Sequence, residues 1–222
     1  MASASGVIAV VDYGMGNLRS VWQALVHVAG GAGVAGTREV VVTADPAVVA
    51  AADRVVFPGQ GAMPDCMREL EGRGLRSAVI EAAKNKPFLG ICIGQQMLFE
   101  HSEEGDVPGL GVFAGRVRRF PAEKMTAPNG DKLKVPHMGW NEVVHTRSHA
   151  LWNGIENGAR FYFVHSYYVD PVDRESIAGT TDYGIPFTSA VARDNIFAIQ
   201  CHPEKSAQAG LKLLSNFIQW KP

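Results

Sequence analysis

Residues 7–12, 54–57 and 87–92 read VIAVVD, RVVF and PFLGIC. Each run is short, rich in β-branched or aromatic residues, and apolar at nearly every position. A strand with one wet face alternates apolar and polar residues; a strand covered on both faces does not. These runs therefore demand a sheet sandwiched between helices. The segments between them supply the helices. Asn17 is placed to cap a helix carrying Leu18, Val21, Trp22, Leu25 and Val28, which Gly30 and Gly31 stop. Residues 39–43 read as a second strand, and residues 75–84 and 94–100 as helices. Strands alternating with helices predict βαβ units and a parallel sheet.

Beyond residue 105 the pattern changes to short strands and turn signals, at residues 113–120, 141–145, 160–169, 187–192 and 196–200. A last helix spans 207–220. The fold class expected is α/β: an open, mostly parallel central sheet flanked by helices, with an additional antiparallel strand region. The 222 residues contain no repeat, low-complexity stretch or linker, so one domain over 1–222 is expected. A net charge of -1 provides no field to attract nucleic acid or an anionic membrane. No apolar run reaches the ~18 residues of a membrane-spanning helix, and MASASG lacks the basic and apolar regions of a signal peptide. Three cysteines, Cys66, Cys92 and Cys201, argue for a reducing compartment, with the cytoplasm as the default.

Gly90-Ile91-Cys92-Ile93-Gly94 lies between an apolar strand and a helix. Small residues two positions before and after a nucleophile permit the sharp strand-to-helix turn of an elbow. The thiol would then project beyond the carboxyl end of a strand, where open α/β sheets place their ligands. The helix start behind it favours thiolate, and the Ile93 amide can hold a developing oxyanion. A buried structural cysteine is the plain alternative.

Residues 196–200 (IFAIQ) deliver Cys201-His202-Pro203-Glu204. A cysteine nucleophile needs an imidazole to take its proton and a carboxylate to fix the tautomer, and His202 and Glu204 fit those roles. Strand alternation points Cys201 away from His202, so it reads as core packing. Cys66, after Pro64 and Asp65 in a helix start, reads as structural.

Cys92, His202 and Glu204 together resemble the triad of the class I glutamine amidotransferases. The likeness is closest to the glutaminase subunits of imidazole glycerol phosphate synthase. It runs through residues 12–17 (DYGMGN), 58–62 (PGQGA), 90–96 (GICIGQQ), 102–105 (SEEG), 135–141 (VPHMGWN), 165–168 (HSYY) and 202–206 (HPEKS). The triad marks the class; PHMGWN and DYGMGN mark the subunit family.

The resemblance implies further roles. The loop at Gly59 and Gln60 would be an oxyanion strand, with Gln60 and Ile93 amides as donors. Gly59, Gln96, Glu104, Ser166 and Tyr167 would bind L-glutamine. For Gln96 and Glu104 the alternative is an exposed polar helix face. Asn17, Trp140, Tyr168 and Lys205 would face a partner; Trp140 could instead be a core aromatic, and Lys205 a solvated charge. Two departures stand out. Gln60 occupies a position where the class often has a second glycine. Gln95 replaces a hydrophobic residue or methionine and is expected to face solvent.

The implied activity is hydrolysis of glutamine to glutamate and ammonia. The ammonia would pass to a separate cyclase subunit in histidine biosynthesis, because this chain cannot also hold a barrel of about 250 residues. No metal or cofactor is expected: no His/Cys cluster has ligand spacing, and no G-x-G-x-x-G follows a strand. Three alternatives are a glutaminase of another pathway such as pyridoxal phosphate synthesis, a cysteine peptidase or γ-glutamyl hydrolase, and a non-enzymatic scaffold.

Overall fold

The computed structural model describes residues 6–30, 38–127 and 130–222. Gly31, read above as part of a helix stop, lies outside them. The chain begins with β1 (Val7–Val11), α1 (Leu18–Val28), β2 (Glu39–Thr43), α2 (Pro46–Ala51) and β3 (Arg54–Gly59). It continues with α3 (Met63–Gly72), α4 (Arg76–Asn85), β4 (Phe88–Cys92) and the short α5 (Ile93–Gln96). Local chemistry accounts for these starts. Asn17 Oδ1 accepts from the Ser20 amide at 3.4 Å, and Asp45 Oδ1 from the Ala47 amide at 2.8 Å, each capping a helix that follows. Pro46 and Pro64 stand in first turns, where a missing N–H costs nothing.

The second half contains β5 (Phe99–Ser102), β6 (Val107–Pro108), β7 (Phe113–Arg119), β8 (His137–Glu142) and β9 (Val144–His145). After these come β10 (Arg160–His165), β11 (Tyr167–Pro171), β12 (Ile177–Asp182), β13 (Pro186–Arg193), β14 (Ile196–Ile199) and α6 (Ala207–Gln219).

Among the described residues the main sheet runs β2-β1-β3-β4-β14-β13-β11-β7-β5-β6. Its first five strands are parallel, as the unbroken apolar runs require. From β14 to β13 to β11 to β7 the pairing is antiparallel, and β5 returns to run parallel with β7. β12 pairs with β13 and β9, while β8 and β10 form a separate antiparallel pair. The right-handed crossover rule assigns α1 to one face of the parallel strands and α2 to α4 to the other. α6 packs on α1, and α2 on α4. The α/β class with an antiparallel extension is thus observed.

Three expectations give way. Residues 94–100 are not one helix: α5 ends at Gln96 and Phe99 opens β5. Phe99 is fully buried and stacks on Phe113 at 5.5 Å, so packing with β7 outweighs local helix propensity. Residues 160–169 are two strands in different sheets, broken at Ser166. Residues 141–145 likewise divide between β8 and β9, and β8 begins earlier, at His137. The elements α2, β5, β6 and β12 were not read from the sequence.

Candidate active site

β3, β4 and β14 lie side by side and end at one edge. Gly59 is in register with Cys92, and Ile91 with Ile199, so the carboxyl ends deliver Gly59, Cys92 and Gln200 to one level. This is the edge at which open parallel sheets bind ligands.

The turn at Cys92 explains its glycines. Cys92 has φ 56° and ψ −114°, a left-handed φ that costs a non-glycine residue about 1–3 kcal/mol and persists only when its surroundings enforce it. A Cβ on Gly94 would collide with the backbone carbonyl of Phe57. A Cβ on Gly90 would come within 2.9 Å of the Ala198 side chain and 3.2 Å of the Gly94 carbonyl. Both positions must therefore be glycine for β3 and β14 to close around the turn. α5 is one turn long, so it contributes amides at its start rather than a full helix dipole.

A cavity of about 230 Å³ opens above this turn. Its walls include Gln60, Cys92, Ile93, Gln96, Glu104, Ser166, Tyr167 and His202, all singled out from the sequence. Gly61, Pro136, Val164 and His165 complete it. Gly59 is not on the wall. It packs beneath the loop, where a Cβ would strike the Tyr13 hydroxyl and approach Ile93 Cβ to 2.9 Å. The turn at Gly16 lies against the same loop: a Cβ there would stand 3.8 Å from the Gln60 nitrogen.

His202 Nδ1 is 2.9 Å from Glu204 Oε1, and both side chains are buried. His202 Nε2 has no hydrogen-bond partner among the described residues and belongs to a ring on the cavity wall. Burial pulls the His202 pKa down, but the nearby charge of Cys92, with the hydrogen bond and charge of Glu204, outweighs it and raises the pKa. The ring is therefore suited to hold a proton opposite a thiolate. The turn that carries it is pinned by Ser206, whose hydroxyl donates to the His202 carbonyl at 2.6 Å and accepts from the Tyr162 amide at 2.9 Å.

The other two cysteines differ in kind. Burial pushes the Cys66 thiol up to about 11, and raises that of Cys201 well above the ordinary thiol value. Both stay protonated and unreactive at neutral pH. Cys66 Sγ donates to the Gln60 carbonyl at 3.6 Å, anchoring the loop from behind.

Gln96 and Gln95 are both buried, Gln95 completely, which overturns its expected exposure. α5 lies beneath the cavity rather than on the surface, and Gln95 Nε2 donates to the Ala198 carbonyl at 3.3 Å. Gln96 Nε2 donates to the Tyr167 carbonyl at 3.1 Å and to Gln200 Oε1 at 2.9 Å. Gln200 Nε2 in turn lies 3.6 Å from Cys92 Sγ. Glu104 is on the cavity wall, and its Oε2 accepts from the Met63 amide at 2.8 Å, capping α3.

Sequence reading gave no role to Gln200, His165 or Ser206. Gln200 had a usable signal: a lone amide in IFAIQ, on the same strand face as His202. His165 Nδ1 faces the Tyr167 carbonyl at 2.8 Å, which can only accept, so Nδ1 carries the proton. His165 Nε2 then accepts from His137 Nδ1 at 3.0 Å, and His137 Nε2 from the Asn141 amide at 3.3 Å. Burial lowers His137 to about 4 and His165 to about 3, keeping both rings neutral.

Of the residues read as partner-facing, Trp140 is 47% exposed and is not a core aromatic. Its ring lies 6.2 Å from Tyr162, and Lys205 Nζ sits 6.0 Å from the same ring. Met138, also on β8, is exposed. Asn17 caps α1 and is half-buried, whereas Tyr168 packs on Phe120, 5.0 Å between ring centres.

The described residues hold no group of three or more His, Cys, Asp or Glu able to bind a metal ion, and no described helix is long and apolar enough to cross a membrane.

Known proteins share the chain's sequence and fold. The family model "Glutamine amidotransferase class-I" matches residues 9–220. The chain is 68% identical to the imidazole glycerol phosphate synthase subunit HisH of Dechloromonas aromatica (strain RCB), over 100% of both chains. It is 67% identical to that of Aromatoleum aromaticum, covering 97% of this chain and 99% of the relative. Among solved structures, a glutamine amidotransferase aligns with TM-score 0.70 at 15% identity, over 96% of this chain and 98% of that one. Another, from Thermotoga maritima, aligns with TM-score 0.59 at 15% identity, over 93% and 80%. The chain belongs to the class-I glutamine amidotransferase family and, within it, to the group of imidazole glycerol phosphate synthase HisH subunits.

Proposed function

We propose that this chain hydrolyses L-glutamine with Cys92, His202 and Glu204 and delivers the ammonia to a separate cyclase subunit. The cyclase would make imidazole glycerol phosphate and aminoimidazole carboxamide ribotide in histidine biosynthesis, in the cytoplasm. One observation carries the reading: a buried imidazole held by Glu204 at 2.9 Å shares a cavity with a strained, turn-borne cysteine.

The steps follow from that arrangement. The Cys92 thiolate attacks the amide carbon of glutamine. The charge that develops on the carbonyl oxygen meets the Ile93 amide, which has no partner within its helix. The Gln60 amide is the second donor when its peptide turns toward the cavity. His202 protonates the departing ammonia. Water then attacks the γ-glutamyl thioester, with His202 as the base, and glutamate leaves. Glu204 keeps the Nδ1 proton in place throughout. Gln96, Glu104, Ser166 and Tyr167 hold the rest of the substrate. Exposed Met138, Trp140 and Lys205, packed around half-buried Tyr162, support a partner surface at β8 and β10, joined to the catalytic turn through Ser206.

The test is synthesis of imidazole glycerol phosphate by this chain with a cyclase subunit, fed either glutamine or an ammonium salt. Cys92→Ala should abolish the glutamine-dependent reaction and spare the ammonium-dependent one. Glutamine-dependent synthesis that survives the substitution rules the proposal out.

A further inference from the structure

We propose that Gln200 is a positioning residue for the nucleophile: its side-chain amide, locked in one orientation by Gln96, donates to the Cys92 sulfur and favours its charged form. This deepens the glutaminase reading and rests on it.

The orientation is forced link by link. The Tyr167 carbonyl can only accept, so the end of Gln96 that faces it is the NH₂ group. The same nitrogen reaches Gln200 at 2.9 Å, so the end of Gln200 facing it is the carbonyl oxygen. The Gln200 NH₂ group is thereby turned toward Cys92 Sγ, 3.6 Å away, and the sulfur must act as acceptor. The usual ambiguity between amide oxygen and nitrogen does not survive this chain of constraints.

Register makes the contact possible. Ile199 pairs with Ile91, so the next residue of each strand, Gln200 and Cys92, stands level. Just past the end of β14, Gln200 reaches the Cys92 sulfur and His202 lines the cavity that Cys92 faces, whereas Cys201 is buried and not on that wall. A single strand end thus supplies the sulfur with both an amide donor and an imidazole. Gln200 is completely buried, and apolar side chains fill the same strand at Ile196, Phe197, Ala198 and Ile199. A buried amide in such a place is costly unless its atoms find partners. The sulfur is the partner for Nε2. A neutral thiol accepts weakly and a thiolate strongly, so the network is best satisfied when Cys92 is charged. Gln96 gains from the same lock: its Oε1, buried and with no hydrogen-bond partner among the described residues, is left to accept from a bound ligand.

The experiment is the pH profile of Cys92 alkylation by iodoacetamide, read by peptide mass spectrometry on the intact chain, for wild type, Gln200→Met and Gln96→Met. Gln200→Met keeps the volume and deletes the donor. The alkylation midpoint should move up by about one pH unit, with a roughly tenfold loss of rate on the low-pH side of the profile, the size expected for losing a hydrogen bond to a charged group. Gln96→Met, which unlocks the amide but leaves it present, should shift the profile the same way by less. An unchanged profile in Gln200→Met overturns the proposal, even if glutamine turnover falls. Should that variant not fold, an unchanged profile in Gln96→Met overturns it. A wild-type chain that alkylates normally but never turns over glutamine would sink the glutaminase reading instead.

Discussion

Cys92 is set apart from Cys66 and Cys201 by its surroundings rather than by its own chemistry. All three are buried, but only Cys92 faces a cavity shared with an imidazole that a carboxylate holds. The Glu204 side chain is 1% exposed, so its influence on His202 is little screened by water. Replacing it by Gln keeps the shape and removes the charge and the tautomer control. Glu204→Gln should lower glutaminase kcat by roughly a hundredfold or more while changing KM little. Steady-state ammonia release with the cyclase bound measures this; equal kcat in the two proteins would remove Glu204 from the mechanism.

At the scale of elements, the Cys92 turn is a packing solution. The Gly94 position touches the Phe57 carbonyl so closely that any side chain would push β3 and β4 apart. Gly94→Ala should destabilise the chain by about 2–3 kcal/mol and slow Cys92 alkylation, because that contact ties the Cys92 turn to the strand that leads into the Gln60 loop. Thermal unfolding and alkylation rate are the two readouts; an unchanged melting temperature contradicts the reading. The strands that form this turn were legible because burial on both faces left continuous apolar runs, and the glycines marked where backbones touch. The His202–Glu204 pair was legible for a similar reason: a histidine and a carboxylate flanking a proline at the end of an apolar strand need a purpose. Local pattern failed where tertiary pairing decided. Phe99 looked helical until β7 claimed it, and Gln95 looked exposed because the cover over α5 comes from β14, a hundred residues away. Gln200 was missed because its partners, Gln96 and Cys92, meet it only after the sheet has formed.

Across the whole molecule, neutral histidines tie the β8–β10 pair to the active site. The chain Asn141–His137–His165–Tyr167 carbonyl works only with both rings unprotonated. His137 falls to about 4 and His165 to about 3 through burial, against an unfolded value of about 6.5. Between those values the unfolded chain binds more protons than the folded one. Stability from the pair is therefore complete above pH ~6.5 and declines as pH falls toward 4. The melting temperature should drop over that window, and His137→Gln, which keeps a hydrogen-bonding side chain but cannot titrate, should flatten the decline. An equal slope in the two proteins would mean that His137 does not contribute to the acid limit.

The claim on which all of this depends is that Cys92 is the nucleophile for a glutamine amide. A diazoketone analogue of glutamine, which alkylates whichever group attacks its carbonyl end, tests it directly when the labelled peptide is identified by mass spectrometry. The label should map to Cys92 alone, be blocked by excess glutamine, and disappear in Cys92→Ala. Label on Cys66 or Cys201, or glutamine-protected labelling that persists without Cys92, would contradict the account.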